Sequence, residues 1–192
     1  MTDGNASTDP LSRELLQSVV DTARAIFGAA ASSVFLLEEE RNELVFQSVS
    51  GQGEDVLVGR RFPADSGIAG WVAMSGEPMI VDDLSRNSAF DRDFARSTAY
   101  VPQSLMAAPL THGDRVLGVL EVLDPVPQAR SSLSELDLLV LFARQAAVAL
   151  RVVVDRRRPA HGGPLSLDGD NLAAALRMTE DLHRLLAAAS LA

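Results

Sequence analysis

The chain has no cysteine. That absence removes disulfides, thiolate nucleophiles, Cys-held metals and thioether-linked chromophores together. It is compatible with a reducing cytosol, and a cytoplasmic location is expected. Long apolar runs are missing too. The longest, Leu138–Ala143, falls far short of the ~20 residues needed to cross a bilayer. The start of the chain is polar and shows no basic segment followed by an apolar one, so no secretory signal is expected. Positive charge is short: 17 Lys and Arg against 26 Asp and Glu leave a net charge of −9. Such a balance disfavours binding to nucleic acid or to an anionic membrane. Aromatics are only 5% of a chain that is 47% hydrophobic, so the core must be built mainly of Ala, Leu and Val.

Catalytic motifs are equally scarce. There is no Gly-x-Ser-x-Gly elbow, no His-Glu-x-x-His, no phosphate-binding loop and no carboxylate–histidine set with metal spacing. The pair Asp82-Asp83 reads as a helix cap rather than a metal site. No catalytic residue, metal or cofactor is assigned, and the protein is not expected to be an enzyme.

What is present is a distinctive stretch at residues 63–76, Pro-Ala-Asp-Ser-Gly-Ile-Ala-Gly-Trp-Val-Ala-Met-Ser-Gly. Asp65 and Ser66 are good N-caps, and Gly67 and Gly70 let other groups approach the backbone. Free amides at a helix start make a seat for an anionic or carbonyl-bearing ligand. Trp71 reads as a core residue.

Around it the pattern predicts a polar, disordered segment at 1–8 and a helix over 9–27. Pro10 occupies the first helical position, and Leu11, Leu15, Val19, Ala23 and Ile26 form the apolar stripe. Strands are expected at 33–37 and 44–49, with a shorter extended piece near 56–62. A short strand at 79–81 precedes a polar, irregular insert over 82–102. Two further strands, 104–110 and 116–123, flank a turn over Thr111–Arg115. Ser134 and Asp137 form a capping box for a long helix to about 155. That helix carries two apolar stripes, Leu139-Phe142-Ala146-Leu150-Val153 and Leu136-Val140-Ala143-Ala147-Val154, and so needs cover on more than one side. Arg156–Arg158 complements its C-terminal dipole. A Gly/Pro-rich linker (156–170) and an amphipathic helix (171–189, within a segment 171–192) complete the chain. The whole implies an α+β fold: a central antiparallel sheet, terminal helices on one face, an irregular insert over a pocket on the other.

Five segments in this order resemble a GAF domain over about residues 11–154: Ser33–Leu37, Arg61–Gly76, Thr98–Leu110, Gly118–Leu123 and Asp137–Leu150. GAF domains are the small-molecule sensor modules of phosphodiesterases, phytochromes, histidine kinases and bacterial regulators. The resemblance implies a domain over 9–155 and a ligand pocket under the insert. Carried across, that pocket takes Val49 and Ser50 from the second strand, and Ile68 and Ala69 as backbone donors. Phe90, Asp91, Thr98 and Pro102 come from the insert, and Glu121 from the last strand. The similarity is nearest to the cyclic-nucleotide phosphodiesterase type, but this chain departs from it. The Phe-Asp pair that holds the purine is Val49-Ser50 here, a ligand-contacting threonine is Pro102, and Asp124, Pro125, Leu133 and Leu138 interrupt the Asn-Lys-Phe-Asp-Glu signature. Bilin-binding and methionine sulfoxide reductase types need Cys, and haem needs a proximal His; His112, His161 and His183 all fall outside the implied pocket. The expectation is a non-catalytic regulatory domain that binds an unidentified small molecule and signals through its terminal helices to a separate output protein. It is expected to form a homodimer through helices 9–27, 134–155 and 171–189. Two alternatives rank below: a ligand-independent dimerisation or interaction module with a vestigial pocket, and a cyclic-nucleotide-binding domain.

Overall fold

A computed structural model describes residues 10–98, 100–127 and 133–155. The expected N-terminal segment 1–8, linker 156–170 and C-terminal helix 171–189 lie outside the described residues.

The strands are β1 (Ala31–Glu38), β2 (Glu43–Gly51), β3 (Arg61–Pro63), β4 (Met79–Val81), β5 (Leu105–His112) and β6 (Arg115–Leu123). They form one sheet in the order β3-β2-β1-β6-β5-β4, every neighbouring pair antiparallel. Helices α1 (Pro10–Phe27) and α5 (Glu135–Asp155) cover one face. The other face is covered by α2 (Glu54–Leu57), α3 (Gly67–Ser75), a 3-10 turn at Leu84–Arg86 and α4 (Arg92–Ser97).

Alternation along the central strands sorts side chains between two cores. Val34, Met106, Ala108, Leu120 and Val122 meet the helices, with Leu16, Val20, Phe27, Leu139 and Ala147. Phe35, Leu105, Ala107 and Val119 face the opposite way, with Leu44, Ile68, Val72 and Leu84. Both faces are covered, so β5 is buried without interruption from Leu105 to Leu110, unlike an antiparallel strand wetted on one side.

Helix α1 opens at Pro10, as its sequence predicts. Its buried stripe is rotated from the expected one: Leu16, Val19, Val20, Ala23 and Phe27 face the sheet, while Leu11 and Ile26 are 49% and 37% exposed. Choosing the face through Phe27 buries the larger side chain. In α5 the two expected stripes merge into one wide face. Leu139, Ala143, Ala146, Ala147 and Leu150 are buried, with Leu136, Val140 and Phe142 packed at the margins. The side chains of Val153 and Val154 lie outside the described set. The capping box forms: the Asp137 amide donates to Ser134 Oγ at 3.1 Å, and that hydroxyl donates to Asp137 Oδ2 at 2.6 Å.

Three local expectations are corrected. Of the extended piece expected near 56–62, the end is extended as β3, but Val56 and Leu57 belong to α2, entered through Gly53 at φ 86, which brings Leu57 into the second core. The β5–β6 turn is only Gly113-Asp114, because Thr111 and His112 pair with Val116 and Arg115. Trp71 is 46% exposed, since the buried face of α3 is Ile68, Gly70, Val72 and Ala73.

Gly118 sets how closely β1 and β6 approach. A Cβ there would lie 2.0 Å from the Phe35 carbonyl oxygen. Gly118→Ala is expected to destabilise the fold by about 3 kcal/mol, because the obstructing atom is backbone and cannot rotate away. Urea unfolding followed by circular dichroism checks this.

Candidate functional site

The insert does not close tightly on the sheet. It leaves a cavity of about 150 Å³ between the second face and the segments α3 and Ala89–Pro102. Ala31, Ser33 and Phe35 of β1 line it by simple alternation, as do Glu121 and Leu123 of β6. On β2 the parity changes. A bulge shifts the β1–β2 register between Val34 and Phe35, so that Leu44 and Phe46 line the cavity, followed by Val49.

Five of the seven phenylalanines line this space: Phe35, Phe46, Phe62, Phe90 and Phe94. Four of them form a contact chain. Phe35 and Phe46 centroids are 4.0 Å apart, Phe46 and Phe62 5.7 Å, and Phe62 and Phe94 4.8 Å, the last two edge-to-face. A chain so poor in aromatics has concentrated them on one wall.

Glu121 is the outlier. It is 8% exposed and sits between Ser33 and Ala107, two small neighbours that leave its carboxyl room. No described residue donates a hydrogen bond to that carboxyl or pairs with it. Burial alone pushes its pKa up to about 8, so at neutral pH it is mostly a neutral acid.

At the start of α3, Ser66 holds the N-cap position with extended backbone, but its hydroxyl makes no capping bond. Gly67 follows at φ +71, a conformation glycine adopts without strain. A Cβ on Gly70 would lie 2.8 Å from the Asp65 carbonyl carbon, so the turn packs directly on the helix. Ser66, Gly67, Ile68 and Ala69 all line the cavity, and first-turn amides have no acceptor within the helix.

The insert is tied down by carboxylates. Asp83 accepts from the Ser85 amide at 2.9 Å and Asp91 from the Phe94 amide at 2.8 Å, each capping a short helical turn. Asp124, in a left-handed conformation (φ 48), accepts from the Gln103 and Ser104 amides, both at 2.8 Å, and from the Ser104 and Tyr100 hydroxyls. Burial first, and then the Asp124 bond, raises the Tyr100 pKa well above that of an ordinary phenol.

Of the nine residues singled out by sequence, Val49, Ile68, Ala69, Phe90, Asp91, Thr98, Pro102 and Glu121 line the cavity. Ser50 does not. It is buried at 4% exposure, but alternation after the β2 bulge turns it to the helix side. Thr98 lines the cavity with its hydroxyl already used, donating to the Ala95 carbonyl at 2.7 Å and the Tyr100 carbonyl at 3.3 Å. Sequence reasoning missed Ser33, Phe35, Phe46, Phe62, Phe94 and Tyr100 as cavity residues. Alternation in β1 was the available signal for Ser33 and Phe35. Among the described residues, no group of three His, Asp or Glu could hold a metal ion.

The comparisons agree with this architecture. A mouse cone cGMP-specific 3',5'-cyclic phosphodiesterase subunit alpha' is 33% identical over 91 residues, 47% of this chain but only 11% of that relative. The chain thus spans about a tenth of the length of this relative. The GAF domain of a Coxiella burnetii phosphoenolpyruvate-protein phosphotransferase superposes with a TM-score of 0.65 at 19% identity, covering 77% of this chain and 88% of that one. The second GAF domain of DevS from Mycobacterium smegmatis does so with a TM-score of 0.62 at 21% identity, covering 78% and 99%. The family model for the GAF domain matches residues 12–150. The chain therefore belongs to the GAF domain family, regulatory small-molecule-sensing modules found in phosphodiesterases and signalling proteins.

Proposed function

We propose that this GAF domain is a non-catalytic sensor that binds a small molecule in the cavity beneath the insert and passes the state to a partner through α1 and α5. The observation that carries the reading is the cavity itself, apolar on most of its wall and holding one buried, unpartnered carboxyl. An uncommitted buried polar group costs stability, and a site that keeps one is a candidate for recognition. The moving piece would be the insert, joined to the frame by the Asp124 hydrogen bonds. A ligand switches the domain only by favouring one insert position over another.

The cyclic-nucleotide reading ranks lower for this chain. Among the described residues no Arg, Lys or His lines the cavity to meet a phosphate, and by the resemblance to phosphodiesterase GAF domains Val49 stands where a purine-holding residue is expected. A homodimer through α1 and α5 is part of the proposal, supported by the exposed Leu11 and Ile26 and the half-buried Leu136, Leu138 and Phe142. A sedimentation profile that is monomeric at micromolar concentration counts against that dimer.

A thermal-shift screen of metabolites, with cGMP and cAMP included, tests the sensor reading. At least one compound should raise Tm, and Ala69→Phe, which fills the cavity, should abolish the effect in a protein still folded by circular dichroism. Stabilisation that survives Ala69→Phe, or no stabilising compound at all, sinks it.

The buried acid also predicts a pH dependence. The folded-state pKa of Glu121 lies above its unfolded value, so the native state holds the extra proton between about 4.5 and 8. Stability should therefore fall as pH rises through that window, by at most about 1.4 kcal/mol per unit from this group, and level off above it. Glu121→Gln should flatten the decline, leaving the variant more stable than wild type at pH 8–9. Urea midpoints measured across pH decide the matter.

A further inference from the structure

We propose that the cavity selects a single-ring molecule carrying one positively charged nitrogen, with Glu121 as the counter-ion that reads it. The assignment rests on the cavity being a ligand site, and it names the chemistry that site would take.

Size limits the ligand first. About 150 Å³ is the volume of an engineered apolar cavity that accepts benzene, so one ring fills the space beneath the insert. The wall suits a ring, because Phe35, Phe46, Phe62, Phe90 and Phe94 all line it.

Charge limits it next. Among the described residues the lining holds two carboxyl groups, Glu121 and Asp91, and no cationic side chain. Asp91 is committed to the Phe94 amide at the start of α4. The hydroxyls of Tyr100 and Thr98 are committed to Asp124 and to backbone carbonyls. The remaining polar side chains on the wall, Ser33, Gln52 and Ser66, are uncharged. Arg60 lies 5.6 Å over the Phe94 ring but is not among the lining residues. An anionic ligand therefore meets only the backbone amides at the start of α3 and, among the described residues, no side-chain counter-charge, whereas a cation meets one acid more than nine-tenths buried with nothing else to bind. Aromatic rings add to that preference, since a desolvated cation is attracted to the negative face of a ring.

The groups facing Glu121 settle the proton count. Its strand neighbours are Ser33 on β1 and Ala107 on β5, neither ionisable; across the cavity, Asp91 and Tyr100 are the other titratable groups. A cation pairs with the ionised acid, so binding converts Glu121–COOH and R–NH3⁺ into R–NH3⁺···⁻OOC–Glu121 and releases one proton. Affinity should rise towards tenfold per pH unit below about 8 and then level off.

Benzylamine, benzyl alcohol and benzoate test this by isothermal titration calorimetry on the full chain. At pH 8 benzylamine should bind at least ~10-fold tighter than benzyl alcohol, with benzoate weakest. At pH 7, titrations in buffers of different ionisation enthalpy should show close to one proton released per benzylamine. Glu121→Gln should erase both the preference and the proton release, while Ala69→Phe should remove binding of every member. Benzyl alcohol or benzoate binding as tightly as benzylamine overturns the cation assignment and leaves the cavity a ligand site. So does a metabolite that binds in the cavity without a cationic nitrogen while the panel fails. Silence from both the panel and the metabolite screen overturns the assignment and the sensor reading together.

Discussion

A sheet with apolar side chains on both faces has to be covered twice, and everything else in this domain follows from how the two covers differ. The first is regular. Helices α1 and α5 lay continuous apolar faces on β5, β6 and their neighbours, and the resulting core is dense with Leu, Val and Ala. The second is assembled from short pieces, α2, α3, a 3-10 turn and α4, none longer than nine residues. Short turns cannot present a smooth ridge to a sheet, so the fit is incomplete and a cavity remains. Packing physics thus separates a continuous cover from a pieced one.

The insert is held by polar contacts as well as by burial of Leu84 and Ala95. Asp83, Asp91 and Asp124 each satisfy backbone amides that no regular element could satisfy, and Asp124 links the end of β6 to the chain re-entering at β5. This is why the insert is so polar. Its acidic residues are the hydrogen-bonding partners that replace a secondary-structure ladder. Their use as caps also removes them from any role towards a ligand, and that leaves Glu121 alone. Its position between two small residues, with aromatic side chains on the same wall, buries its carboxyl and favours the protonated form.

Much of the frame was legible in the sequence because it depends on local signals. Pro10 opens α1, the Ser134/Asp137 box opens α5, and unbroken Val/Leu runs mark strands covered on both faces. Positions that depend on neighbours distant in the chain were less legible. Trp71 reads as core by composition, yet the face α3 turns inward is made of Ile68, Val72 and Ala73. Val49 and Ser50 look equivalent in sequence, but a bulge against β1 sends one to the cavity and the other to the helices. Thr98 reads as a ligand contact, and its hydroxyl is spent on two carbonyls of its own insert.

The sequence by itself determined the family, the order of elements and the lack of cysteine chemistry, because periodicity, caps and composition act over a few residues at a time. It also singled out 63–76 as a helix start with close backbone approach, which Gly70 bears out, while Gly67 serves by its positive φ. Only the tertiary structure decided which side chains share the cavity, and that among the described residues no cationic side chain joins Glu121 there. Those facts depend on strand register and on where a separate segment of chain closes over the sheet. Neither is encoded at any one position.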